Sequence, residues 1–255
     1  MVLSREPDHE RARAVLADSA QEGSHAPGSF AEGAEAVLLP DRFLSYPALR
    51  KVRLQKPYRP PALDARIRSS RTRIEARLLS KSKSAGVPCP HVFAVGADYI
   101  LMEKLGGCTL NRLAAGRIPA WACERAGIFL ARLHSAGIIH GDYTPANLMW
   151  DKKNAKDGKE GKDADLFVID FGLGSISSDI EDHAVDVLTM KKALKGEKEQ
   201  KAFMDGYEKE GGTRTARAKE GEARTSAGGT AFSAPRVLVH MAEVEKRARY
   251  QDRGG

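Results

Sequence analysis

Apolar positions along the chain change their spacing at about its midpoint. Residues 34–39 and 48–54 are short apolar or alternating runs on either side of the turn-prone DRFLSYP, a pattern that predicts paired strands. A helix is predicted over 63–83. There Ile67, Ile74 and Leu78 form one apolar stripe, and Thr72, Glu75 and Leu79 line the neighbouring face. HVFAV (91–95) and DYILMEK (98–104) again read as strands. Beyond Gly106-Gly107 the steps lengthen to three and four: Ala122, Ala126, Phe129 and Leu133 mark a helix, with Gly137 placed to stop it. Ile138-Ile139, Leu148–Trp150 and Leu166–Ile169 read as short buried strands. Strands first and helices afterwards predict an α+β layout in two lobes.

Composition sharpens this picture at three stretches. Residues 1–29, 151–165 and 208–230 are poor in large apolar side chains, so they read as a tail and two polar insertions with nothing to bury. The net charge of +7 is local. Residues 50–83 hold twelve basic side chains against Asp64 and Glu75, a net +10, so the rest of the chain nets −3. Charge this concentrated reads either as a solvated helix face or as a surface for a polyanion. Three cysteines without a C-x-x-C pair read as reduced thiols. The charged first residues and the absence of an 18-residue apolar run predict a cytoplasmic or nuclear protein without a membrane segment.

Candidate chemistry lies in four pieces. In IIHGDYTPANLMW, His140-Gly141-Asp142 precedes Asn147 by five residues from the aspartate. An Asp on a tight loop can take a proton from an attacking hydroxyl, and an Asn one turn later can offer an oxygen to Mg²⁺. His140 itself reads as a buried structural histidine. Asp170-Phe171-Gly172 closes the apolar run LFVID, where a carboxylate needs a partner or a cation. Lys51, on the second strand, and Glu75, the one acidic residue in the helix after Asp64, suit a buried pair that holds phosphate oxygens; Lys56 is the competing lysine. Gly33, just before the first strand, would let the backbone approach a phosphate.

Taken in order, these pieces resemble a protein-kinase domain. More narrowly, EGAEA (32–36), KPYRPPALDARIRSSRTRIEARLL (56–79), GVPCP (86–90), LMEKLGG (101–107), HGDYTPANLM (140–149), VIDFGLGSIS (168–177) and EDHAVDV (181–187) resemble the small atypical serine/threonine kinase of the KEOPS complex, the Bud and PRPK family. The resemblance implies a minimal two-lobed kinase-like fold. Its N-lobe and hinge would span 30–104 and a reduced C-lobe without a full activation segment 105–207; the polar stretch 208–230 then reads as a disordered insertion, and 231–255 as a C-terminal helix with a basic tail.

It also implies a chemistry with ATP and Mg²⁺ as cofactors. Lys51 would hold the phosphates, Glu75 would fix Lys51, and Asp142 would act as base or orient water. Asn147 and Asp170 would bind Mg²⁺. Gly33, Ala34 and Glu35 would close over the phosphates, while Met102, Glu103 and Leu105 would receive adenine. Asp186 matches the residue that braces the catalytic loop, its plain alternative being an exposed helix position. The implied activity is ATP hydrolysis or serine/threonine phosphorylation in support of threonylcarbamoyladenosine modification of tRNA. The implied partners are the threonylcarbamoyl-transferase subunit, a small regulatory subunit and tRNA. A diluted basic ending and the two insertions depart from the family's pattern. Two other readings are a small-molecule phosphotransferase of the aminoglycoside or choline kinase type, and a pseudokinase scaffold.

Overall fold

In the computed structural model, which describes residues 31–32, 36–113, 117–151, 166–219 and 232–251, the alternation over 34–54 becomes one long antiparallel hairpin. Strand β1 is Ala31–Glu32, β2 is Ala36–Phe43 and β3 is Tyr46–Arg53. The β2–β3 register runs unbroken from Ala36↔Arg53 to Phe43↔Tyr46. DRFLSYP is therefore mostly strand, and the turn shrinks to Leu44-Ser45, with Leu44 in the left-handed region at φ 54°. Cross-strand partners hold the polar letters in the ladder. Arg50 Nε donates to Asp41 Oδ2 at 2.7 Å and its guanidinium lies 4.5 Å over the Tyr99 ring, while Phe43 stacks on Phe93.

The chain divides into two units. The first comprises residues up to Arg77 with Pro90–Leu105, the second Leu78–Cys89 with residues from Gly106 onward. The first unit holds a five-stranded antiparallel sheet in the order β1-β2-β3-β5-β4, where β4 is Val92–Val95 and β5 is Tyr99–Glu103. Two buried clusters serve it: Val37, Leu39 and Val52, and Ala76, Ile100 and Met102. Fully burying a side chain such as Ile100 contributes about 2 kcal/mol.

Ala76 comes from α1 (Pro61–Ser84), which corrects one expectation. The Ile67–Ile74–Leu78 stripe is not its packed face, because Ile74 is 44% exposed. The buried face carries Thr72, Glu75 and Leu79, at most 2% exposed. Helical spacing marks both faces equally well, and the choice falls to the one whose carboxylate meets cations from the sheet.

In the second unit, β6 (Cys108–Thr109), β8 (Leu148–Trp150) and β9 (Leu166–Val168) form an antiparallel sheet in that order, and β7 (Ile138–Ile139) pairs with β10 (Ser175–Ile176). The α-helices described in this unit besides the end of α1 are α2 (Ala120–Ser135), before β7, and α3 (Ile180–Ala193), α4 (Glu197–Lys219) and α5 (Ala234–Gln251), after β10. Gly137, at φ 69°, ends α2 as the sequence predicts. A small β-rich unit and a helical one bear out the α+β reading.

The disordered insertion read over 208–230 is corrected for 208–219, which continue α4 as helix; 220–230 lie outside the described residues, as do 152–165 of the other insertion and the tail at 1–29. Low apolar content misleads here because the anchors of α4 lie at or before the start of the polar stretch: Phe203 and Tyr207 are fully buried. An added Cβ at Gly206 would come within 2.1 Å of Glu124 O on α2, so the two helices touch backbone to backbone. Arg132 on α2 then pairs with Glu210 at 2.9 Å. Among the described residues no helix is long and apolar enough to cross a membrane.

Candidate functional site

Side chains on a strand alternate between its faces, so β3 presents Leu49, Lys51 and Arg53 on one side. Lys51 Nζ donates to Glu75 Oε1 at 2.7 Å and Arg53 Nη2 donates to Glu75 Oε2 at 2.5 Å. All three are buried, at 9%, 4% and 1% exposure. A carboxylate this far from water is costly unless it is paired, and here both its oxygens receive charged donors. Lys56 lies past the end of β3, where its backbone N–H donates to Asp64, so Lys51 and not Lys56 meets the helix glutamate. Met102 is buried on β5 opposite Leu49, and the Glu103 N–H donates to His91 O at 2.8 Å. Leu105 follows that strand. Gly33, Ala34 and Glu35 lie outside the described residues.

In the second unit the HGDYTPAN segment forms a loop held from within. Gly141 has φ 81°, and an added Cβ there would sit 2.4 Å from Leu173 O, so the loop needs glycine on both grounds. Asp186, on α3 and 1% exposed, accepts from His140 N at 2.7 Å and from Gly141 N at 2.9 Å. It is the brace and not an exposed helix position. Asn147 Nδ2 donates to both the backbone O and the Oδ2 of Asp142, each at 2.8 Å. That fixes the exposed Asp142 carboxylate and leaves the Asn147 carbonyl oxygen as its coordinating end. The Ile169 N–H donates to Asn147 O at 3.0 Å, which ties the strand leading to Asp170 to the same loop. Asp170 sits at φ 60°, outside the usual range for a residue with a side chain, and its Oδ1 accepts from Gly172 N at 3.0 Å.

Two histidines behind the loop are neutral. His140 is fully buried; its Nε2 lies 3.1 Å from Ile169 O, a pure acceptor, so Nε2 carries the proton and Nδ1 accepts from Asp142 N at 3.3 Å. Burial holds its pKa below the ordinary value, outweighing the nearby charge of Asp186 and the hydrogen bond to Ile169. His134 on α2 follows the same logic. Nε2–H faces Asp186 Oδ2 at 3.4 Å, Nδ1 accepts from Tyr207 OH at 2.7 Å, and burial again lowers the pKa. For Asp186, burial alone would raise the pKa, and the hydrogen bonds from His134 and from the His140 backbone N–H reverse it, so the carboxyl titrates below its usual range. The sequence reading missed Arg53, His134 and Tyr207. Alternation on β3 pointed to Arg53 beside Lys51, whereas no local pattern in the sequence marks the other two.

Asn147 and Asp170 are hard oxygen donors and only two in number. Among the described residues no group of three or more His, Cys, Asp or Glu is placed to hold a metal ion. A pair of this kind fits Mg²⁺, which keeps waters and binds through one or two protein oxygens together with phosphates.

Comparison with known proteins gives the family and the fold. Residues 62–156 match the RIO domain family. The chain is 35% identical over 208 residues to a serine/threonine-protein kinase BUD32 homolog of Archaeoglobus fulgidus, covering 80% of this chain and 88% of that protein. It is 39% identical over 170 residues to a bifunctional tRNA threonylcarbamoyladenosine biosynthesis protein of Methanothermobacter thermautotrophicus, covering 66% of this chain but 29% of that protein's length. Among solved structures, the Rio2 kinase of Chaetomium thermophilum superposes with a TM-score of 0.54 at 16% identity, covering 94% of this chain and 77% of that one, a likeness of fold. On the extent of its match to the Archaeoglobus protein, the chain belongs to the BUD32 family of serine/threonine-protein kinases.

Proposed function

We propose that this chain is an ATP-dependent phosphotransferase, acting chiefly as an ATPase, that supports threonylcarbamoyladenosine modification of tRNA in a KEOPS-type assembly. The observation that carries the reading is the locked loop of the second unit, in which Asn147 orients Asp142 and is bonded through its backbone to Ile169, next to Asp170. Lys51, held by Glu75, supplies a fixed positive charge for phosphate oxygens. Asp142 orients the attacking hydroxyl and accepts its proton. Asn147 and Asp170 would hold Mg²⁺, which when bound neutralises charge developing on the phosphoryl oxygens. Gly33, Ala34 and Glu35 would close over the phosphates, and the backbone of Met102, Glu103 and Leu105 would receive adenine.

Only residues 173–179 separate Gly172 from the start of α3, which leaves little chain on which to dock a peptide and favours water as acceptor. Family membership supports the partners: a threonylcarbamoyl-transferase subunit, a small regulatory subunit and tRNA. A cytoplasmic or nuclear site of action accords with that role.

The test is Mg²⁺-dependent ATP hydrolysis by Asp142→Ala and Asp170→Ala. Both side chains are exposed, so both variants should fold with an unchanged melting temperature and lose turnover by about three orders of magnitude or more. Turnover retained in both folded variants would sink the reading. Recovery of a threonylcarbamoyl-transferase subunit in a native pull-down tests the assembly separately.

A further inference from the structure

Glu75 is held by more cations than its burial requires. Lys51 Nζ meets Oε1 at 2.7 Å and Arg53 Nη2 meets Oε2 at 2.5 Å, so each oxygen has its own donor. An ammonium carries three N–H donors, and Lys51 alone could grip both oxygens. A second buried cation is costly to desolvate, yet Arg53 is retained beside a carboxylate that one cation already neutralises. Its backbone is fixed as well. Arg53 closes β3 in register with Ala36 of β2, and its N–H donates to Asp98 O at 2.8 Å.

What the second cation changes is the grip of the first. With Oε2 occupied by Arg53, Lys51 meets the carboxylate through Oε1 alone, and its remaining donors are not spent on Glu75. Without Arg53 the Glu75 carboxylate could turn about its terminal torsion, which is soft. Lys51 would then be drawn between both oxygens and away from a phosphate. A guanidinium suits this task better than a second ammonium, because its planar fork sets the direction of its hydrogen bonds. We propose that Arg53 is a positioning residue for phosphoryl transfer. By occupying Oε2 it fixes the Glu75 carboxylate and keeps Lys51 aimed at the nucleotide phosphates, a role that rests on the reading of Lys51 as the phosphate-holding lysine.

The test is a double-mutant cycle in Mg²⁺-dependent ATP hydrolysis by the full chain, with kcat and KM measured separately. Arg53→Met keeps an apolar stem and removes the donor. It should lower kcat about tenfold while KM for ATP moves by less than about threefold, because correct aim matters most in the transition state. In a Glu75→Gln background the same change should cost less than about a further twofold, since Arg53 acts through that carboxylate. An arginine with a merely structural role would multiply its loss onto that of Glu75→Gln. Arg53→Lys, which returns a charged donor to Oε2, should recover part of the lost kcat. If Arg53→Met does not fold, Arg53→Gln, whose amide can still donate, carries the same cycle with a loss of several-fold. A folded variant with wild-type kcat, or losses that multiply across the cycle, overturns the proposal. Lys51→Met and Asp142→Ala separate it from the wider reading. If both retain turnover, the phosphoryl-transfer reading falls; if both lose it and Arg53→Met does not, the positioning role alone falls.

Discussion

Glu75 in the first unit and Asp186 in the second are equally buried carboxylates, each about 1% exposed, yet they are satisfied by opposite means. Glu75 takes its charge partners from the flexible side chains of Lys51 and Arg53, which leave a strand. Asp186 takes two backbone N–H groups of the loop that carries Asp142, with a neutral histidine behind it. Long side chains can exchange partners without refolding anything, whereas backbone donors cannot move unless the loop does. The first arrangement suits a group that must respond to phosphate; the second suits a loop that must hold still.

That contrast orders the expected effects. Asp186→Ala should be the most damaging change, because it leaves the buried His140 N–H and the partly buried Gly141 N–H without an acceptor, at about 1–3 kcal/mol for each buried group. Urea denaturation should show a loss of roughly 3–5 kcal/mol, together with loss of ATP turnover. A well-folded Asp186→Ala with normal turnover would remove the distinction drawn between the two carboxylates.

Acid should then separate the units. His183 lies against His134, its Nε2 is buried without a hydrogen-bond partner among the described residues, and its pKa is pushed down to about 4, first by burial and then by His134. An unfolded histidine titrates near 6.5, so the unfolded state takes up the proton first and stability falls as pH drops from about 6.5 towards 4. The loss is up to about 3 kcal/mol for His183. Asp186 adds nothing in that window, because its lowered pKa matters only below the ordinary carboxylate range. His183→Phe should flatten the dependence of the urea midpoint on pH between 6.5 and 4.5. An unchanged slope would place the acid sensitivity elsewhere.

Glu75→Gln should cost less, about 1–2 kcal/mol, because the amide oxygen still accepts from one cation and the other can turn towards solvent. Its signature is kinetic. Turnover should fall about tenfold or more while the melting temperature shifts by only a few degrees. A large stability loss with normal turnover would make the Glu75 pair structural.

How far the sequence foretold these features follows from the range of the interactions involved. The strands, the long helix, Gly137 and the H-G-D and D-F-G loops were legible because each depends on neighbours within a few residues. The packed face of α1 was not, since Ile74 and Thr72 compete on equal periodicity and the winner is settled by Lys51 and Arg53 from another element. Helix α4 beyond residue 208 was missed for the same reason, because it continues from Phe203, Gly206 and Tyr207, packed within its own unit, and is held by Arg132 from α2 through Glu210. His134 and Tyr207 meet across 73 residues, a separation that no spacing rule reports.

The smallest effects on stability should come from the basic face of α1, where the structure divides arginines that the sequence groups together. Arg68 is tied to Asp64 and Asp98, so Arg68→Gln leaves the buried Asp64 with only the Lys56 N–H and Arg59 and should cost about 1 kcal/mol. Arg66 and Arg73 are exposed on the same helix, so Arg66→Gln and Arg73→Gln should stay within about 0.5 kcal/mol of wild type. Their effect belongs to partners instead. If this face contacts tRNA within the assembly, each charge removed from it should lower the slope of log affinity against log salt by nearly one unit, with no change in melting temperature. A slope unaltered by both changes, in a complex that still binds tRNA, would assign the exposed arginines to a protein partner.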